Sequence, residues 1–245
     1  MLILKILLFA LCAVLGIIAL YLLFLTVCAL AIDTNKNYDK NSRFHRFLLY
    51  SITSVAMKVC RIKITASGLE RIPDGRFLLV SNHRSNFDPI VTWHIMKKYD
   101  LAFISKPENF KIPWFGRIIR RCCFMPIDRS SARNAMESVT RAAGLLKANE
   151  VSIAVYPEGT RSAGELLPFH NSVFKIAKWA DVPVVAVTVT GTADISKRFP
   201  FRSTDVHLQV VGVLNREYVA AHKTNEIGAA VKALMEYELS GSKEK

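Results

Sequence analysis

The sequence predicts an α/β fold: a largely parallel or mixed sheet covered by helices, preceded by an N-terminal membrane-anchoring helix and an interfacial helix. Three observations predict it. From residue 61 onward, short β-like runs alternate with helical stretches. Several of those runs are continuously apolar, as strands are when helices cover both faces of their sheet. Ahead of them, the segment from Ile6 to Ile32 carries no charged residue.

That apolar segment comes first along the chain. As a helix it would be roughly 40 Å long, against about 30 Å of bilayer hydrocarbon, so it spans with tilt or runs past the interface. A cleaved signal peptide is the competing reading, because Lys5 precedes the run and Ala29-Leu30-Ala31 resembles a small-residue cleavage site. The run outlasts the usual ~7–15-residue apolar core of such a peptide, which favours an uncleaved anchor over residues 1–32. Lys36, Lys40, Arg43 and Arg46 follow it, while only Lys5 and the amino terminus precede it. That bias places the body of the protein on the cytoplasmic face of the membrane.

Residues 33–60 form a polar linker and then an amphipathic helix over 44–58, with Phe44, Phe47, Leu48 and Ile52 available to one face. That face serves either a core or, beside an anchor and flanking bases, the bilayer interface. The domain proper runs over 61–240, with a short tail at 241–245. Its expected strands cover 61–67, 77–81, 101–105, 123–127, 151–156, 184–189 and 206–214. Its expected helices lie near 90–98, 132–148, 173–180 and 224–239.

The 245 residues suffice for one α/β domain plus an appendage. A formal net charge of +13 implies an anionic partner: nucleic acid, an acidic protein, a phosphate-bearing substrate or an anionic membrane. The bases are dispersed and match no nucleic-acid-binding motif, and the anchor already supplies an anionic surface, so no nucleic acid is expected. The five cysteines include none with zinc-binding spacing, so no metal site is expected, and their odd number agrees with a reducing compartment.

Polar motifs fall just past the ends of four expected strands. His83 follows Ser81, Lys106 follows Ser105, Asp128 and Arg129 follow Ile127, and Glu158 and Arg161 follow Tyr156. Open α/β sheets bind ligands at that position. In LVSNHRSNFDPIV, Asp88 and Pro89 read as a helix N-cap and first helical residue. The same aspartate can reach back to one ring nitrogen of His83, fixing the tautomer and leaving the other nitrogen to take a proton. No Gly-x-Ser-x-Gly elbow is present, so the base would act on a hydroxyl of a bound substrate. Gly159 admits close backbone approach, and Arg161 and Arg129 offer forks for phosphate oxygens. Glu158 would hold a substrate hydroxyl or orient the arginine, and Lys106 would add a point charge.

The ordered segments NHRSNFDP, KPENFKIPWFGR with FMPIDR, YPEGTRS and VPVVAV resemble the four motifs of the lysophosphatidic acid acyltransferase family, over residues 82–187. The resemblance implies transfer of a fatty acyl group from a thioester donor to the free glycerol hydroxyl of lysophosphatidate, giving phosphatidate. By position, His83 would be the base and Asp88 its partner. Arg129, Glu158, Gly159 and Arg161 would bind the acceptor, with Lys106 assisting at the phosphate. The partners implied are membrane lipids and acyl-CoA or acyl carrier protein as co-substrate, with no further cofactor. Two alternatives remain at this level: glycerol 3-phosphate or another lysolipid as acceptor, and a non-catalytic protein that binds anionic lipid. The chain departs from the family at Phe169-His170-Asn171-Ser172, where F-K-x-G is common, and at Ala186, where a second proline is common. In KIPWFGRIIRR, Trp114 and Phe115 among basic residues read as a patch dipping into the headgroup layer.

Overall fold

The structure is a computed structural model that describes residues 1–127, 131–162 and 164–241. Seven strands form one sheet in the order β1-β7-β6-β2-β5-β3-β4. They are β1 (Ile62–Ser67), β2 (Leu78–Ser81), β3 (Leu101–Ser105), β4 (Met125–Pro126), β5 (Ser152–Val155), β6 (Val184–Thr190) and β7 (Thr204–Leu214). Neighbours from β6 through β4 pair in parallel, as do β1 and β7, while β6 and β7 pair antiparallel. The sheet is therefore mixed. Its central strands β2 and β5 are buried at every residue, as their unbroken apolar runs require.

The helices are α1 (Leu2–Leu30), α2 (Arg43–Val59), α3 (Asp88–Ile95), α4 (Phe115–Arg121), α5 (Ala132–Lys147), α6 (Lys175–Ala180), α7 (Ile195–Arg198), α8 (Arg216–Ala221) and α9 (Thr224–Gly241). The short helices α4, α7 and α8 were not expected; each has seven residues or fewer, too short to show a helical period.

The apolar helix α1 is long enough to cross a membrane, with a mean hydropathy of 3.0 over its most apolar window. Every residue from Met1 to Leu20 is exposed. That free stretch is about 28 Å long at 1.5 Å per residue, close to the thickness of bilayer hydrocarbon. Its C-terminal third docks on the body. Leu25 and Ala29 are buried, Tyr21 Oη lies 2.6 Å from Ser51 Oγ, and the rings of Phe24 and Phe44 meet edge to face. These contacts pair falling α1 numbers with rising α2 numbers, so the two helices run antiparallel.

Helix α2 has two apolar faces where the sequence suggested one. Leu48, Leu49 and Met57 enter the core, and Phe44, Phe47, Val55 and Val59 remain exposed. Leu48 therefore parts from Phe44 and Phe47, because the sheet takes one side of the helix and leaves the other outward. Arg46 is also buried. Its guanidinium donates to the Leu101 carbonyl at 2.9 Å and to Asn41 Oδ1, and lies over the Trp93 ring.

The segment around Trp114 clamps the C-terminal end of α1. Trp114 Nε1 donates to Thr26 Oγ1 at 2.9 Å, and Arg117 donates to the carbonyls of Ala29 and Ile32 at the end of α1. The patch inferred from the sequence is thus partly spent on holding α1, since the last carbonyls of that helix need donors. Ala186 lies at the β6–β7 register shift and pairs with Val80 of β2 on its other side.

Candidate active site

Five parallel strands end on one edge of the sheet, and the loops beyond them carry the site. After β2, the first residue is Asn82, fully buried, whose side chain pairs both ways with the Val189 backbone of β6 at 2.9 and 2.7 Å. This pins the start of the loop. His83 follows, and its Nδ1 stands 2.9 Å from Asp88 Oδ2.

Asp88 is fully buried, and its carboxylate is surrounded by donors. Oδ2 accepts the backbone N–H of Arg84 at 2.6 Å and of Ser85 at 2.7 Å, and Oδ1 accepts the Thr192 hydroxyl. Asp88 was expected to cap α3. It stands instead as the first residue of the helix, one place later than an N-cap, and its carboxylate turns back onto the preceding loop. A buried carboxylate without such donors would be strongly penalised. With the carboxylate on Nδ1, the Nδ1–H tautomer is favoured and Nε2 is left as the acceptor.

The imidazole stacks on Tyr156, with centroids 4.5 Å apart and planes 27° apart, and Tyr156 stacks in turn on Phe103. Burial, with the Asp88 charge as a lesser cause, pushes the Tyr156 hydroxyl well above its ordinary pKa. Its hydroxyl stays protonated through the neutral range, and its ring forms a platform against the imidazole.

The loop after β5 wraps over the loop after β2. Glu158 is buried, and its two oxygens accept the N–H of His83 at 2.8 Å and of Leu167 at 3.0 Å. Its carboxylate is thus engaged by backbone, which makes it a tie between loops. The Ser162 N–H donates to the His83 carbonyl at 2.9 Å, and Arg84 Nη1 donates to the carbonyls of Ser162 and Gly164. Gly159 sits at φ +73°, a left-handed conformation that favours glycine. Arg161 is exposed and has no carboxylate partner among the described residues. Lys106 is exposed just past β3, on the same edge as His83. Arg129, with Asp128, lies outside the described residues.

Sequence reasoning missed Asn82, Arg84 and Thr192. Thr192 follows β6 by two residues, so the strand-end argument applied to a fifth strand would have found it. Gly191 precedes it at φ +86°, where a Cβ would collide with the Asp205 carbonyl; the turn that delivers Thr192 to Asp88 needs glycine. Asn82 and Arg84 act through backbone partners that no sequence pattern reveals.

The acyltransferase family model matches residues 63–190, which hold every described site residue except Thr192. The 1-acyl-sn-glycerol-3-phosphate acyltransferase of Salmonella typhimurium is 26% identical over 167 residues, 68% of each chain. The Arabidopsis thaliana chloroplastic enzyme of that name, LPAT1, is 32% identical over 191 residues, covering 75% of this chain and 51% of the relative. The crystal structure of the 1-acyl-sn-glycerophosphate acyltransferase PlsC from Thermotoga maritima superposes with a TM-score of 0.68 at 26% identity, covering 82% of this chain and 80% of that one. Matched over more than half its length and in its fold, the chain belongs to the acyltransferase family, with lysophosphatidic acid acyltransferases among its relatives.

Proposed function

We propose that this protein transfers a fatty acyl group from an acyl thioester to the free hydroxyl of 1-acyl-sn-glycerol 3-phosphate, giving phosphatidic acid. The observation that carries the reading is the 2.9 Å contact between His83 Nδ1 and a buried Asp88 carboxylate held by three further donors. In the proposed reaction, His83 Nε2 takes the proton of the acceptor hydroxyl as its oxygen attacks the thioester carbonyl. Asp88 stabilises the imidazolium that forms. Collapse of the tetrahedral intermediate breaks the C–S bond, and the departing thiolate takes the proton back from His83. Arg161 and Lys106, exposed on the same edge, bind the acceptor phosphate, and Arg129 joins them. Gly159 holds the turn that presents Arg161.

The lipid acceptor, the free length of α1 and the site edge fit together. A hydroxyl presented from a bilayer reaches His83 when α1 spans and the site edge faces the membrane. The cytoplasmic face is the proposed side, from the basic residues that follow α1. Acyl-CoA and acyl carrier protein are both anionic and both suit the basic surface.

The test is acyl transfer by detergent-purified protein. Lysophosphatidate and glycerol 3-phosphate are offered separately, each with acyl-CoA and with acyl carrier protein, with His83→Ala in parallel. Phosphatidate from lysophosphatidate is expected, with the rate of the variant lowered about 10²–10⁴-fold. Near-normal turnover by the variant would remove His83 as base. Product only from glycerol 3-phosphate would replace the acceptor. Arg161→Ala should raise KM for lysophosphatidate about tenfold or more with a smaller change in kcat; an unchanged KM places the phosphate elsewhere.

A further inference from the structure

A second cluster of exposed aromatic and basic residues lies on the site edge, away from Trp114. It is the connection from β6 to β7, with the sequence KRFPFRS over 197–203. Phe201 is 85% exposed and Phe199 44% exposed. After α1 in the chain, no large apolar side chain among the described residues is more exposed than Phe201. Arg198 and Arg202 flank the pair, and both are exposed. Aromatics left in water and bracketed by cations mark an interaction surface, and this pairing suits an interface with an apolar depth and an anionic rim.

Topology says what the surface faces. β6 ends on the site edge, and β7 begins there because it runs antiparallel to β6. β1 is parallel to β7, so the end of α2 that leads into β1 reaches the same edge. Two hydrogen bonds join these pieces: Arg61 Nη1 donates to the Phe201 carbonyl at 3.2 Å, and the Thr204 N–H donates to the Arg61 carbonyl at 3.2 Å. Helix α2 starts at the opposite edge, where Arg46 holds the first carbonyl of β3, so it points toward the site edge. The antiparallel α1 therefore sends its exposed apolar half out past that same edge. The loop thus continues the exposed face of α2, where Val55, Lys58 and Val59 are also outward.

Charge agrees. Lys58, Arg61, Lys63, Arg198 and Arg202 are exposed around the loop. The nearby acids are Asp194, which Lys197 pairs at 3.1 Å, and Asp205. The balance is cationic.

We propose that the 197–203 loop is a membrane-contact element separate from the anchor, with Phe199 and Phe201 seated in the headgroup layer of an anionic bilayer and Arg61, Arg198 and Arg202 meeting lipid phosphates. The same connection begins with Gly191 and Thr192, so this contact would seat the segment that holds Asp88 against the membrane.

The test uses the full chain reconstituted in vesicles and does not depend on activity. The Phe201→Trp variant adds one indole, read by difference from the parent protein. Vesicles are phosphatidylcholine alone, or phosphatidylcholine with about a third phosphatidylglycerol, and both are prepared with lipids brominated near the headgroup end of the acyl chain. Expected in the anionic vesicles is a blue-shifted added emission, quenched about twofold or more by the brominated lipid. Adding Arg198→Glu and Arg202→Glu should abolish most of that quenching. Added emission that stays water-like and unquenched in anionic vesicles overturns the proposal. So does quenching that is equal in both lipids and survives the charge reversals, since the cations would then have no part.

Discussion

Replacing Asp88 with asparagine separates geometry from charge at the proposed base. The amide is nearly the same size, and its oxygen can still accept a backbone N–H of the loop while its nitrogen faces the Thr192 hydroxyl. The negative charge next to His83 disappears. In the parent protein the nearest atoms are 2.9 Å apart, which puts the charge centres of imidazolium and carboxylate roughly 4 Å apart. At an effective dielectric of about 20, unit charges at that distance attract by about 4 kcal/mol. The imidazolium is only partly formed in the transition state, so about 3–4 kcal/mol is lost there, a fall of about 10²–10³ in kcat. The assay is initial-rate acyl transfer to lysophosphatidate in detergent micelles, with circular dichroism and thermal unfolding to confirm that the variant is folded. The charge-assisted bonds from Arg84 and Ser85 weaken as well, so a drop of several degrees in Tm accompanies the loss of rate. A folded variant with kcat within about threefold of the parent would refute the electrostatic role of Asp88.

Glu158→Gln tests the tie between the loops. One amide oxygen cannot satisfy both the His83 and Leu167 N–H groups, and its NH₂ opposes the other donor, so a loss of about 2–3 kcal/mol and about 5–10 °C in Tm is expected. An unchanged melting curve would show that the buried carboxylate is not needed there. Tyr156→Phe tests the platform. Because burial raises the pKa of the hydroxyl, the folded protein keeps it neutral past its ordinary pKa, and stability falls as pH rises through that ordinary value, where the unfolded chain ionises. The variant should therefore keep the shape of the pH–rate profile through the neutral range. Loss of either limb of that profile would mean that the phenol titrates in the reaction.

The placement of the site was legible early for one physical reason. Apolar runs such as Leu78–Val80 and Ile153–Val155 can be satisfied only between helical layers, so they announce central strands, and the residues after them must lie at one edge. That argument brings His83, Lys106, Glu158 and Arg161 to one edge without a structure. It cannot tell which polar side chain turns to the ligand and which turns to backbone. Glu158 illustrates the limit, since the sequence offers a carboxylate beside an arginine and the fold surrounds it with two N–H groups.

By itself the sequence determined the apolar N-terminal helix, the α/β alternation, the edge on which the polar motifs gather and the His83–Asp88 spacing. All of these follow from local periodicity and from residues close along the chain. Only the tertiary structure decided what depends on distant segments meeting. Thr192 reaches Asp88 across 104 residues, Asn82 bonds Val189 across 107, and Trp114 and Arg117 secure the end of α1 from 85–88 residues away. Such partners share no period and no motif. They meet because strand order places the end of β6 beside β2, and because a helix end or a buried carboxylate must find donors wherever the packed chain supplies them.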